Sequence, residues 1–168
     1  SSWHPHYYRS KFDGLTVHSA LIYTPTASKI ILAAKESGLK GADELIINAL
    51  VHALDKSKID PALSRLVPVP SSKSSQRRRG RSFVVDIVEQ LSLRTGVQML
   101  DCLELSRRVV DQSGLNRKER AHNLAGAFRT TTAVRGELIL VDDVVTTGAT
   151  LREALRAVNS QGFHAIGS

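Results

Sequence analysis

The stretch Leu138-Ile-Leu-Val-Asp-Asp-Val-Val-Thr-Thr-Gly-Ala-Thr-Leu151 constrains the fold more than any other. Four consecutive apolar residues, Leu138 to Val141, predict a strand buried on both faces, as in a parallel sheet. Asp142 and Asp143 follow at its C-terminal end. After two more apolar residues comes a hydroxyl- and glycine-rich turn, Thr146-Thr147-Gly148-Ala149-Thr150. Leu151, Ala154, Leu155 and Val158 then fall at helical spacing. Ligands of open α/β sheets bind at that end of the strands. Backbone amides at a helix N-terminus favour a phosphate. Two neighbouring carboxylates accept hydrogen bonds from vicinal hydroxyls, or hold water around a hard cation. One stretch therefore offers a phosphate cradle and a pair of sugar-hydroxyl acceptors. The competing reading is a buried strand whose acidic pair merely opens a loop. A Walker B strand also ends in acidic residues, but it needs a G-x-x-x-x-G-K-[ST] loop, and the chain has none.

The rest of the chain alternates strands and helices, which predicts a parallel sheet in an α/β fold. Phe12 to Tyr23 reads as one or two short strands, broken by Pro25. Ser28 to Glu36 reads as a helix, interrupted by Ser37-Gly38 and Lys40-Gly41. Ala42 to Leu54 is a stronger helix. Leu66 to Pro70 is a short strand, and Ser71 to Ser75 with the arginine cluster a loop. Phe83 to Leu93 is a helix and Val97 to Leu105 a strand. Ser106 to about Leu115 reads as loop, and Asn116 to Leu124 as an exposed helix or ordered loop. Ala127-Phe128 starts a short strand, and Phe163 to Ile166 reads as the last one.

With 168 residues the chain fits one domain with a real core. Its apolar stretches are far too short to span a membrane. The N-terminus lacks the apolar segment of a signal peptide. The single cysteine, Cys102, excludes an internal disulfide and a Cys-rich zinc site, and reads as a core residue. These features suit a reducing cytoplasm. A net charge of +7 and a pI near 9.9 favour anionic partners: phosphorylated metabolites, nucleic acid or an acidic protein. The charge is concentrated in Arg77-Arg-Arg-Gly-Arg81, in Arg107-Arg108, and in Arg117-Lys118-Glu119-Arg120. A solvated basic face is the competing reading. His52 falls on a predicted helix and reads as structural.

The order strand, Asp-Asp, two apolar residues, Thr-Thr-Gly-x-Thr, helix resembles the phosphoribosyl pyrophosphate (PRPP) signature of type I phosphoribosyltransferases. The resemblance implies a type I phosphoribosyltransferase fold, a central parallel sheet flanked by helices with a small N-terminal hood. On that reading 1–168 is a single domain, with hood and N-terminal helices over about 1–60 and a PRPP-binding core over about 61–168. Asp142 and Asp143 would hold the ribose 2′ and 3′ hydroxyls. Thr146, Thr147, Gly148, Ala149 and Thr150 would wrap the 5′-phosphate. Ser71, Ser72 and Lys73, directly after the strand ending at Pro70, would supply the pyrophosphate loop with Arg77 and Arg79. Arg107, Lys118 and Arg120 are candidates for a closing flexible loop. Mg²⁺ would be held through PRPP and water near the acidic pair, with no direct protein ligand. The reaction implied is displacement of pyrophosphate by a nitrogen acceptor, Asp143 being a candidate general base. Tyr7, Tyr8 and Tyr23 are candidates to stack on the acceptor, whose identity no motif specifies. Type I relatives commonly form homodimers.

Gln112-x-x-Leu115, Arg120-x-x-Asn123 and Gly126-Ala127-Phe128 further resemble ComF-type proteins, as do the Val67-Pro-Val-Pro70 strand and Arg77 to Gly80. These are phosphoribosyltransferase-like proteins linked to competence for DNA uptake. The resemblance covers roughly residues 12 to 168. It adds a second functional class, a PRPP-sensing module that binds DNA or a DNA-processing partner. Many ComF proteins begin with a four-cysteine zinc module, and these residues hold none. Arg81-Ser82 stands where the family often has Phe-Asn.

Overall fold

A computed structural model describes residues 7–12, 14–71, 76–77, 80–109, 114–132, 136–162 and 165–167. The chain opens with an antiparallel hairpin of β1 (Tyr8–Phe12) and β2 (Leu15–Ser19). Pro25 does not merely end the strand region. It is the first residue of α1 (Pro25–Ser37), where its missing N–H is no loss. Thr24 caps that helix, its Oγ1 accepting from the Ala27 amide at 3.1 Å. α2 (Lys40–Ser57) follows, then β3 (Ser64–Pro68), α3 (Phe83–Thr95) and β4 (Gln98–Met99). The single strand expected over Val97 to Leu105 is divided. β4 joins the main sheet, whereas β5 (Leu103–Leu105) leaves it and pairs with β6 (Phe128–Thr130). Between them lies α4 (Arg117–Leu124), with an Asn116/Glu119 capping box. β7 (Glu137–Val141), α5 (Ala149–Asn159) and β8 (Ala165–Gly167) complete the described chain.

The main sheet has the order β1-β2-β8-β7-β3-β4, parallel throughout except for β1. Its central strands alternate between two cores. Leu138 and Leu140 of β7 pack with Leu151, Ala154 and Val158 of α5. Ile139 and Val141 pack on the other face with Phe83, Ile87 and Leu91 of α3 and Ile47 of α2. Period-two alternation with apolar residues on both faces makes an α/β/α sandwich. Cys102 is fully buried in the first core, as a small apolar residue would be.

Topology then positions the site. From β3 the chain moves through α3 to β4 at one edge. From the adjacent β7 it moves through α5 to β8 in the opposite direction. β3 and β7 therefore flank the point where connections diverge, the crevice in which open α/β sheets take ligands. Among the described residues no helix is long and apolar enough to cross a membrane.

Candidate functional site

Asp142 and Asp143 sit where the backbone leaves β7, both partly buried. The Asp143 amide donates to Asp142 Oδ1 at 2.8 Å, pinning that carboxylate against its own chain. Asp143 Oδ2 forms an ion pair with Lys35 Nζ in the last turn of α1. Their side chains are only 15% and 17% exposed. Burial and the neighbouring Asp143 charge push the Asp142 carboxyl up to about 8, against the pull of the Asp143 amide and Lys35. Two carboxylates so close do not both ionise readily, so a cation or hydroxyl donors at this point would be welcome.

The turn after the acidic pair is held from two sides. Arg120 Nη1 donates to Thr146 Oγ1 at 2.9 Å, and Arg120 Nε to the Leu115 carbonyl at 2.9 Å. Gly148, the N-cap of α5, takes a left-handed conformation (φ +69°), and no side chain caps the helix there. A Cβ on Gly148 would collide with the Phe12 ring of β1. The same ring carries the Arg152 guanidinium 5.0 Å from its centroid. Glycine is therefore required twice at this position, for its conformation and for the close approach of Phe12. Ala149 N donates to Thr147 Oγ1 at 3.4 Å, and the remaining amides at this helix start, with an arginine beside them, suit an anion.

The second half of the crevice follows β3. Val69 N donates to the Val141 carbonyl at 2.9 Å, so the two strand ends stay paired up to the loops that leave them. Ser71 is half-buried, and its carbonyl accepts from Gln76 Nε2 at 3.1 Å. Arg77 is exposed. Ser72, Lys73 and Arg79 lie outside the described residues.

The three candidates for a closing loop separate. Arg120 reaches the turn as described. Lys118 is exposed on α4. Arg107 Nη2 donates to the Asn123 and Ala125 carbonyls at 2.8 and 2.7 Å, capping the C-terminal end of α4. Of the three tyrosines, Tyr23 lines the same cavity as the acidic pair, with its hydroxyl 3.0 Å from Ser28 Oγ. Tyr7 pairs its hydroxyl with His18 Nδ1 at 2.8 Å, and Tyr8 is exposed on the hairpin.

Sequence reasoning missed Lys35, Phe12 and Arg81 as neighbours of this region. Arg81 bonds Asp43 Oδ2 of α2 at 3.0 Å and Asp86 Oδ2 of α3 at 2.9 Å. Its guanidinium also lies 5.2 Å from the Phe83 ring centroid, with Lys35 Nζ 5.9 Å from the same ring. The residue that departs from the ComF pattern thus joins two helices. Nothing in spacing pairs these residues; only the sheet order does. Glu153, buried on α5, was missed as well. It accepts from the Phe128 amide at 3.2 Å and pairs with Arg156, whose Nη2 also donates to the Phe128 carbonyl at 2.9 Å. This latch fastens β6 to α5, one turn beyond Thr150.

No family model matches the chain. Over 106 residues it is 31% identical to competence protein F of Haemophilus influenzae, covering 60% of this chain and 46% of that protein. Over 150 residues it is 28% identical to DNA utilization protein YhgH of Escherichia coli K12, covering 86% of this chain and 66% of that protein. The aligned chain thus spans less than two thirds of either curated relative.

Proposed function

We propose that the chain binds PRPP at the divergence of β3 and β7 and transfers its phosphoribosyl group to a nitrogen acceptor, releasing pyrophosphate. One juxtaposition carries the reading: a partly buried acidic pair and a Thr-Thr-Gly-Ala-Thr turn leave the end of a single central strand, with Arg120 bonded to that turn. Asp142 and Asp143 accept from the ribose hydroxyls. The amides of residues 147–150 and Arg120 hold the 5′-phosphate. The loop from Ser71, with Lys73, Arg77 and Arg79, meets the pyrophosphate.

The donor set fits Mg²⁺ carried by the substrate. Two hard carboxylates stand together at the end of β7. When bound, Mg²⁺ neutralises charge growing on the leaving pyrophosphate. Arg120 and Lys118 add positive charge and exclude water from the reacting carbon. The test is calorimetric titration of PRPP with Mg²⁺ into the wild type and an Asp142→Asn/Asp143→Asn variant. Binding lost in the variant supports the site. Equal binding to both, or none to the wild type, removes it.

The charge of +7 and the names of the two relatives support a second reading, a PRPP-sensing module acting on DNA or a DNA-processing partner. Salt-sensitive DNA binding that weakens on substitution of Arg77 to Arg81, without PRPP turnover on any nucleobase, would favour it.

A further inference from the structure

The sheet face beneath α1 and α2 is not filled. A cavity of about 170 Å³ lies between these helices, α3 and strands β2 and β7. Ala27 of α1 and Ala49 and Ala53 of α2 line it, each at most 3% exposed. Leucine at any of these positions would occupy much of the space. Ile31, Ile46, Leu50, Ile87 and Ile139 make the wall aliphatic. Asp142 and Asp143 also line the cavity, as do the exposed Tyr23 and Val145 (58% and 38%). The acidic pair is therefore part of the slot's wall.

Two of its lining polar groups are already engaged. Ser57 Oγ donates to the Leu54 carbonyl at 2.6 Å, and His18 Nδ1 is taken by the Tyr7 hydroxyl. A polar nucleobase in this slot would leave ring nitrogens and exocyclic groups without partners. An apolar ring would not. An aliphatic cavity of roughly 150 Å³ accommodates benzene.

We propose that this slot takes the apolar body of the acceptor, a small molecule of one ring or about six carbons, and holds its single nitrogen beside Asp142 and Asp143. The proposal rests on the phosphoribosyl-transfer reading and names its acceptor class. The nitrogen lone pair forms the bond to ribose C1. The C1–O bond breaks, pyrophosphate leaves with the electron pair of that bond, and the nitrogen's proton passes to the Asp143 carboxylate.

The experiment is a methyl-detected NMR titration with aniline and, as a polar ring of the same size, cytosine. It uses wild type, Ala49→Leu and Ala53→Leu, each checked for a cooperative melt. Aniline should shift the methyls of Ile46, Ile87 and Ile139 in the wild type. Cytosine should bind about tenfold more weakly or worse. A leucine variant that melts cooperatively should lose the aniline shifts. Unmoved methyls at the solubility limit of aniline, equal response to cytosine, or shifts that survive both leucines would each overturn the proposal. PRPP is titrated in parallel. PRPP binding without aniline shifts overturns the acceptor class and leaves the transfer reading standing. Aniline shifts without PRPP binding overturn the transfer reading and, with it, the role given to the slot.

Discussion

Lys35 in the last turn of α1 holds its ammonium against the Asp143 carboxylate at the end of β7. The N-terminal helices are thereby tied to the acidic pair, and any cation or hydroxyl donor that engages Asp143 competes with, or joins, a positive charge already present. Lys35→Met would leave Asp143 without that partner in a partly buried site. The expected loss is about 1–2 kcal/mol of stability, less than for a fully buried pair. Asp142 should respond too, because Lys35 holds its carboxyl down. Carboxyl-carbon NMR titration should find the Asp142 midpoint higher in the variant; an unchanged midpoint would break the coupling.

Asp142 makes the unliganded protein pH-sensitive in a stated direction. Its carboxyl is raised in the fold to about 8, so the folded state retains a proton that the unfolded chain releases near pH 4. That contribution is fully present below about pH 4 and is lost as pH rises toward about 8. Asp142→Asn removes the dependence. At pH 7 it should melt higher than wild type by several degrees, on the scale of about 2–4 °C per kcal/mol. The gap should close toward pH 4. Melting curves at four pH values decide it, and a gap of the opposite sign would show that the carboxylate is not disfavoured.

Gly148→Ala meets two penalties that a double-mutant cycle can separate. The φ of +69° disfavours any Cβ, by roughly 1–2 kcal/mol, and the Phe12 ring obstructs it as well. Phe12→Ala in the same chain should relieve the second penalty and not the first. Denaturant unfolding of the four proteins should therefore give a favourable coupling energy. Additive losses would mean that Phe12 does not press on this turn.

Arg120 and Arg107 should fail in different assays. Arg120→Ala removes a guanidinium bonded to Thr146 and should weaken PRPP or inorganic phosphate binding about tenfold, with little change in melting. Arg107→Ala removes the C-terminal cap of α4 and should speed amide exchange there while phosphate affinity changes less. Interchanged results would reverse the two roles.

Glu153 predicts acid sensitivity. Burial alone would raise its carboxyl, but Arg156 and the Phe128 amide outweigh that and hold it below the ordinary carboxylate value. A depressed carboxyl contributes stability above its unfolded value, lost as pH falls through the lower folded one. Glu153→Gln should cost about 2 kcal/mol at pH 7 and progressively less as pH falls through the lowered folded value. A deficit constant across that range would assign the loss to packing instead.

The phosphate-binding candidate and its strand were legible because everything in Leu138 to Leu151 is local: buried strand, acidic pair, turn and helix follow one another without a gap. Helices α1 and α2 were legible from their periodicity, with ends misplaced where Pro25 opens one and Gly41 is absorbed into the other. The division of Val97 to Leu105 was not legible, because apolar content is alike in β4 and β5 and only their partners differ. Lys35, Phe12 and Arg81 were invisible for a related reason. Each looks like an ordinary helix, strand or loop residue until the sheet order brings it to Asp143, Gly148 or Asp43. The pockets and latches of the chain are products of long-range pairing, and single-sequence periodicity carries no information on pairing.

The strand order has a consequence for how the chain is made. Among the described residues β2 joins the parallel strands through β8, and β8 is the last described strand to be synthesised. The hairpin carrying Phe12 therefore keeps its pairing edge open until β8 is in place, whereas β3, α3 and β7 can pack without it. Folding dominated by such distant closure is slow and leaves an unpaired edge exposed to other nascent chains. The Thr146 to Thr150 turn, which Phe12 of the hairpin approaches at Gly148, would be among the last parts to mature, so anything bound there would meet a finished protein and not act as a template for folding.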